Sequence, residues 1–141
     1  MDIKKLLLGG IVAGILFYFL DWLAFEKLFA TFFANHPGTV TGLDRTDTML
    51  VYAAAGNLLH GLAISFIFVK SNVRSVMPGF ITGGILGFLI GGGIDVWMYG
   101  MTTMYSKTSA VADVAIVTCI WAIIGAVVGG LMGMGKKEVP Y

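Results

Sequence analysis

The chain has 141 residues, of which 57% are hydrophobic and only 12% are charged, whereas about a quarter of the residues in an ordinary soluble domain carry charge. Nine lysines and arginines against eight acidic residues leave a formal charge of +1, so the sequence lacks the basic excess of a nucleic-acid-binding protein. A single cysteine excludes a disulfide-stabilised scaffold. The composition is that of a membrane protein, and the length excludes a large multidomain enzyme.

Four stretches of the sequence are apolar over about the 20 residues that a helix needs to cross a bilayer. They cover about residues 6–33, 49–69, 77–99 and 110–134, and short polar connections separate them. Lipid offers the backbone no hydrogen-bond partners, so spanning segments form helices that satisfy their own N–H and C=O groups. The sequence therefore predicts an all-α integral membrane protein, in which four transmembrane helices form one bundle and one domain over residues 1–141.

The lysines and arginines are divided unevenly between the two sides of the predicted bundle. Six lie on the side of the chain termini and three lie on the opposite side. Because cytoplasmic segments carry the excess of basic residues, this distribution predicts that the N and C termini are both cytoplasmic. The terminal side carries Lys4, Lys5, Lys70, Arg74, Lys136 and Lys137, and the opposite side carries Lys27, Arg45 and Lys107.

Glycines recur at four-residue intervals in the third and fourth apolar segments. Residues four apart lie along one helix face, and small residues on such a face let helix backbones approach closely in lipid. We expect these faces to pack the helices of the bundle against one another, with the joining of two copies of the chain as the alternative. The glycines are Gly79, Gly83, Gly87 and Gly91 in the third segment, and Gly125, Gly129 and Gly133 in the fourth.

A short similarity between residues 11–16 and 81–86 suggests a duplicated helical hairpin. Each stretch is followed by an aspartate close to a tryptophan, Asp21 in the first case and Asp95 in the second, and the two offsets differ by four residues. That difference is about one helical turn. A duplication would make Asp21 and Asp95 equivalent and would relate the two halves by an axis along the membrane normal.

Five polar residues inside the predicted spanning segments are candidates for function. An ionisable residue at the centre of a spanning helix costs roughly 2.5–3.5 kcal/mol. Asp21, Asp95 and Asp113 lie toward the outward ends of their segments, and His60 lies near mid-membrane with Asn57 one turn away. One interpretation is an acidic vestibule that opens outward, has the histidine and the asparagine at its floor, and carries protons or holds a cation.

A second interpretation gives the same residues a structural role. Lys27 then pairs with Asp21 or Asp95, and His60 and Asn57 join two helices through hydrogen bonds. A metal site for Mn or Zn is a third interpretation, although no ligand spacing such as HxxxH or CxxC supports it.

Three segments resemble those of small four-helix bacterial membrane proteins of unknown function. They are MDIKKLLLGG at residues 1–10, DVWMYGMTT at residues 95–103, and residues 113–130. The likeness extends over most of the chain, and its motifs are glycine and aromatic spacings that many membrane proteins share. The resemblance implies a location in the bacterial inner membrane, and it carries over no activity and no catalytic residues.

The sequence contains no evident nucleophile and base pair and no repeated metal-ligand spacing, so we expect neither a catalytic residue nor a cofactor. We expect a small non-enzymatic integral membrane protein that self-associates or is an accessory subunit of a larger membrane complex. Its surroundings are then the lipid bilayer and other membrane proteins, without nucleic acid. The alternative is a small proton or cation channel or transporter that uses the outward-facing acidic cluster.

Overall fold

The computed structural model of the protein describes residues 2–40, 42, 47 and 49–134, and the regular elements in these ranges are all helices. Two of them are π-helical segments, named π1 and π2. In chain order the elements are α1 (Ile3–Asp21), π1 (Trp22–Leu28), α2 (Ala30–Asn35), α3 (Leu50–Lys70), α4 (Val76–Leu86), π2 (Gly87–Gly91), α5 (Gly92–Met101) and α6 (Lys107–Gly133).

Among the described residues, four helical runs are long and apolar enough to cross a membrane, as the sequence predicts. The first run is α1 with π1, the second is α3, the third is α4 with π2 and α5, and the fourth is α6. Their bounds are Ile3–Leu28, Leu50–Lys70, Val76–Met101 and Lys107–Gly133. The fold is therefore an all-α bundle of four membrane-spanning helices.

Two helix boundaries differ from the predicted ones. The first apolar stretch is broken at Phe29, whose backbone (φ −113°, ψ 6°) leaves the helical region, so α2 is a separate short helix. Hydropathy does not reveal this break, because the residues around it are as apolar as the helix. The fourth helix begins at Lys107 rather than 110, because the Ser106 hydroxyl accepts a hydrogen bond from the Ser109 N–H at 3.2 Å and caps the helix.

The start of α1 and the end of α6 lie together at one end of the bundle, the terminal end. There the ammonium group of Lys5 donates hydrogen bonds to the carbonyl oxygens of Met132, at 2.8 Å, and Met134, at 3.3 Å. A lysine at a helix C terminus satisfies free carbonyl groups and interacts favourably with the helix dipole. The opposite end carries α2 and the connection between α5 and α6, and it is the loop end.

At the loop end, the segment after α2 is fastened to the connection between α5 and α6. The carbonyl oxygen of His36 accepts hydrogen bonds from the hydroxyl groups of Ser106, at 2.8 Å, and Ser109. The N–H of Thr39 donates to the carbonyl oxygen of Thr103 at 2.9 Å. The two halves of the chain are thus joined near both ends of α6.

The central helix of the bundle is α6, which contacts α1, α3, α4, π2 and α5. The chain forms two helical hairpins, α1 with α3 and α4–α5 with α6, and the hairpins meet mainly through α6. A buried alanine outside the main core, Ala110, lies near the loop end. The main core extends from the middle of the bundle to the terminal end, apart from one alanine, Ala24. Its side chains are Ala13, Phe17, Ala24, Ile64, Phe68, Ile120, Trp121, Ile124, Val128 and Met132.

Close backbone contacts hold each hairpin together. In the first hairpin, Gly61 of α3 lies against the carbonyl oxygen of Gly10 and the backbone nitrogen of Gly14, and a Cβ at residue 61 would collide with both. In the second, Gly125 of α6 lies in the same way against the carbonyl oxygen of Gly79. Because helices in lipid associate through close van der Waals contact, glycine at these crossings lets the backbones touch.

The seven glycines that the sequence assigns to helix packing all lie against another segment of the second hairpin. A Cβ on any of them would collide with a backbone or side-chain atom there. These faces are occupied within the chain, so they are not free to join two copies. The contacts are Gly79 with Gly125, Gly83 and Gly87 with Trp121, Gly91 with Val117, Gly125 with Gly79, Gly129 with Ser75, and Gly133 with Arg74.

We expect Gly125→Ala to lower the free energy of unfolding by about 1–3 kcal/mol, because the added methyl group overpacks the crossing of α4 and α6. Gly93→Ala is the matched control, since nothing lies within 4 Å of a Cβ built at residue 93, and it should cause no loss. Denaturation in mixed detergent micelles, followed by circular dichroism, measures both variants. Equal stability of the two would contradict the crossing described here.

Candidate functional site

Three carboxylates from three spanning runs are brought together toward the loop end. Asp21 is the last residue of α1 before π1, Asp95 lies in the first turn of α5 just after π2, and Asp113 lies about two turns into α6. Asp113 is buried, with 8% of its surface exposed. Its carboxylate lies within electrostatic range of both other aspartates. These three residues form the acidic cluster.

The acidic cluster has no partner of opposite charge in the part of the chain that the structure describes. None of its carboxylates forms a hydrogen bond or an ion pair with another described residue. The Oδ2 atom of Asp95 is buried and has no hydrogen-bond partner there. Burying a charge is costly unless it is paired, and neighbouring like charges add mutual repulsion. A bound positive charge would therefore stabilise this arrangement.

Lys27 does not supply that charge. Its ammonium nitrogen lies over the ring of Trp22, 5.1 Å from the ring centroid, so the expected ion pair of Lys27 with Asp21 or Asp95 is wrong. The reason lies in π1, which contains both Trp22 and Lys27, five residues apart. Hydrogen bonds of a π-helix join residues with this separation, so the two side chains lie close to one face.

A cavity of 240 Å³ lies between the first spanning run and α3, toward the loop end. Its polar lining consists of Tyr18, Asp21, Glu26 and Asn57. Asn57 therefore shares a cavity with one member of the acidic cluster. Asp21 therefore belongs both to the lining of the cavity and to the acidic cluster.

The site also contains Glu26, which is not among the five candidate residues identified from the sequence. It lies five residues after Asp21, and side chains with that separation point about 140° apart on an α-helix. In π1 the wider turn brings them toward one face, and both line the same cavity. In the sequence, only the separation of five residues links Glu26 to Asp21. That separation indicates a shared face only if the segment is known to be a π-helix.

His60 lies in the middle of α3 and does not line this cavity. Its ring centroid lies 5.8 Å from that of Phe17 and 6.1 Å from that of Trp121, at the edge of the aromatic part of the core, and its side chain is exposed. Neither His60 nor Asn57 forms a hydrogen bond with another described residue. The expected hydrogen-bonded link between helices is therefore wrong.

The glycine crossings provide a register for comparing the two hairpins. In each hairpin, two glycines four residues apart on the first helix contact one glycine on the second. Asp95 lies twelve residues after Gly83, and Glu26 lies twelve residues after Gly14, whereas Asp21 lies only seven after Gly14. In this register Asp95 corresponds to Glu26 and not to Asp21. The duplication itself stays a prediction.

Within the described ranges, no three His, Cys, Asp or Glu side chains are arranged to hold a metal ion. The acidic cluster is thus close enough for electrostatic interaction without forming a chelating group. Comparison of the chain with protein-family models, with curated proteins and with solved structures finds no match. The function is therefore inferred from the geometry and chemistry of the site.

We expect the Lys27 side chain to be coupled to Trp22 and to be independent of Asp21. A double-mutant cycle of Lys27→Met with Trp22→Leu should give a coupling free energy of about 0.5–1 kcal/mol, measured by denaturation in detergent. The matched cycle of Lys27→Met with Asp21→Asn should give a value within about 0.5 kcal/mol of zero. A larger coupling in the second cycle would restore the ion pair.

Proposed function

We propose that this protein conducts or exchanges protons or other small monovalent cations across a membrane through the acidic cluster of Asp21, Asp95 and Asp113. One observation carries the proposal. Asp113 is buried, lies within electrostatic range of two further carboxylates, and has no counter-charge in the described part of the chain. Acidic residues inside spanning helices mark ion pathways and proton relays.

The energetics argue against a purely structural role for the acidic cluster. A charged aspartate at the centre of a spanning helix costs roughly 2.5–3.5 kcal/mol, and less toward the helix ends. Among the described residues, no ion pair or hydrogen bond offsets that cost for any of the three carboxylates. Uptake of a proton or a cation neutralises the cluster, and release of that charge restores it.

A small monovalent cation suits the cluster better than a divalent metal ion. Divalent metals need several ligands in a defined geometry, and no such group of side chains occurs among the described residues. A proton needs one carboxylate oxygen at a time. Three neighbouring acids on separate helices therefore provide successive positions for one positive charge.

An accessory or self-associating role is the second candidate, and the exposure of His60 favours it. This side chain lies in the middle of α3 and remains exposed, whereas ionisable residues in spanning helices almost always face protein or water. A partner subunit or a second copy of the chain would cover the imidazole. The protein would then purify from mild detergent with that partner at fixed stoichiometry.

The proposal includes a location in the bacterial inner membrane with both termini in the cytoplasm. The resemblance noted in the sequence supports the choice of membrane, and the positive-inside rule supports the orientation. Arg45, Lys136 and Lys137 lie outside the described residues. Those that are described still favour the terminal end, with Lys4, Lys5, Lys70 and Arg74 there and Lys27 and Lys107 at the loop end.

We expect the full chain in liposomes to dissipate an imposed gradient of protons, Na⁺ or K⁺, and Asp113→Asn to slow this flux about tenfold or more, because the central acid of the pathway is lost. Asp2→Asn is the matched control. Asp2 lies at the exposed start of α1, where its side chain accepts a hydrogen bond from the Lys5 N–H at 3.1 Å, and asparagine caps helices equally well.

Two results would reject this function. One is wild-type flux that does not exceed the flux of empty liposomes in any of the three gradients. The accessory or self-associating role would then remain. The other is equal flux in Asp113→Asn and Asp2→Asn, which would show that the acidic cluster is not on the pathway.

We expect the orientation to be visible in reporter fusions. Alkaline phosphatase joined after residue 134 should be inactive, because the enzyme needs the oxidising periplasm to form its disulfides. The same reporter inserted between α2 and α3 should be active. The opposite pattern would place the terminal end outside the cytoplasm.

A further inference from the structure

A cavity with a partly polar lining lies between the first spanning run and α3. Tyr18, Asp21, Glu26 and Asn57 line it, and none of them forms a hydrogen bond with another described residue. Two larger cavities, one of 560 Å³ between the first run and α6 and one of 450 Å³ between α4 and α6, are lined almost wholly by apolar side chains. Water and small cations are therefore better accommodated in the polar cavity.

The carboxylates connected with this cavity become more buried with distance from its mouth. Glu26 is exposed, Asp21 is half-buried, and Asp113 is 8% exposed. The first two line the cavity, and the third interacts with Asp21. A line of negative charge in a low-dielectric surrounding attracts cations and raises their local concentration.

Toward the terminal end the bundle is closed beneath this series of acids. The rings of Phe17 and Trp121 pack edge to face with centroids 5.0 Å apart, and both side chains are buried. Beyond them lie the buried Ile64 and Phe68 and the contact of Gly61 with the α1 backbone. These contacts close the core of the bundle on the terminal side of the acids.

Building on the proposed function, we propose that this cavity is the loop-end entrance through which a hydrated monovalent cation, the proton included, reaches the acidic cluster. Glu26 attracts the cation at the mouth. On the α3 side, opposite Asp21, the Asn57 amide forms hydrogen bonds with the water that hydrates the cation. The π1 segment is what makes the entrance, because it brings the carboxylates of residues 21 and 26 toward one face.

Cysteine labelling of the full chain in liposomes tests the entrance. The background is Cys119→Ala, which removes the single cysteine, and the test variant adds Asn57→Cys. A membrane-impermeant, charged methanethiosulfonate is supplied on both sides of the membrane, and mass spectrometry measures modification while the ion gradient is followed. We expect rapid and nearly complete modification at residue 57, together with loss of flux to the level of Asp113→Asn.

Leu59→Cys in the same background is the matched control. It lies two residues further along α3, and its side chain is 67% exposed on the outer surface of the bundle, so lipid should shield it from a charged reagent. We expect no modification there and no change in flux. Glu26→Cys at the exposed mouth is a second test variant that leaves the helix packing intact, and we expect it to be modified as well.

The failure of the entrance and the failure of the proposed function give different results. Flux that depends on Asp113, combined with unmodified thiols at residues 57 and 26, would overturn the entrance alone. Complete modification at residue 57 without loss of flux would do the same. Absence of flux in the unmodified wild-type protein would overturn the proposed function, whatever the labelling.

Discussion

The hydrophobic effect does not hold helices together inside a bilayer, because lipid is as apolar as their side chains. Backbone contact at glycine takes its place in this protein. Gly61 lies against α1 and Gly125 lies against α4, so each hairpin closes on a backbone crossing rather than on interlocking large side chains. The second crossing fixes α4 along α6, and α6 in turn contacts the first hairpin. The position of Asp113 inside the bundle depends on this arrangement.

Tight packing is concentrated between mid-membrane and the terminal end, and the loop-end half is built differently. Both π-helical segments adjoin acids of the cluster there, with π1 directly after Asp21 and π2 shortly before Asp95. π-Helical turns are rare and occur frequently at functional sites. The wider turn of π1 changes which side chains share a face, and it brings Lys27 over Trp22 and Glu26 toward Asp21.

The parts of the fold that follow from local composition could be predicted from the sequence. Apolar length predicts the four spanning runs, and the intervals of four residues identify glycines that lie at close contacts within the second hairpin. The break at Phe29 could not be predicted, because a change in backbone angle leaves no trace in hydropathy. The start of α6 does leave a signal in the sequence, since Ser106 is a usual N-cap residue, but hydropathy alone places the start of the helix at residue 110.

The candidate site was predictable only in part. Asp21, Asp95 and Asp113 stand out as acids in apolar segments, but their proximity depends on α6 lying between the hairpins, which no local pattern encodes. The contacts of Lys27 and Glu26 could not be predicted, because both residues lie in π1 and hydropathy does not reveal a π-helix. His60 and Asn57 share a helix face, yet only Asn57 reaches the cavity with Asp21.

The central position of the last helix has a consequence for biogenesis. Chains are made from the N terminus, so α1 to α5 are synthesised before α6. Until α6 arrives, the glycines of α4 have no partner, and Lys5 has no acceptor, because the carbonyl groups that it binds belong to Met132 and Met134. Insertion of α6 completes the core and creates the acidic cluster in one step, so a nascent chain carries no assembled site until α6 is in the membrane.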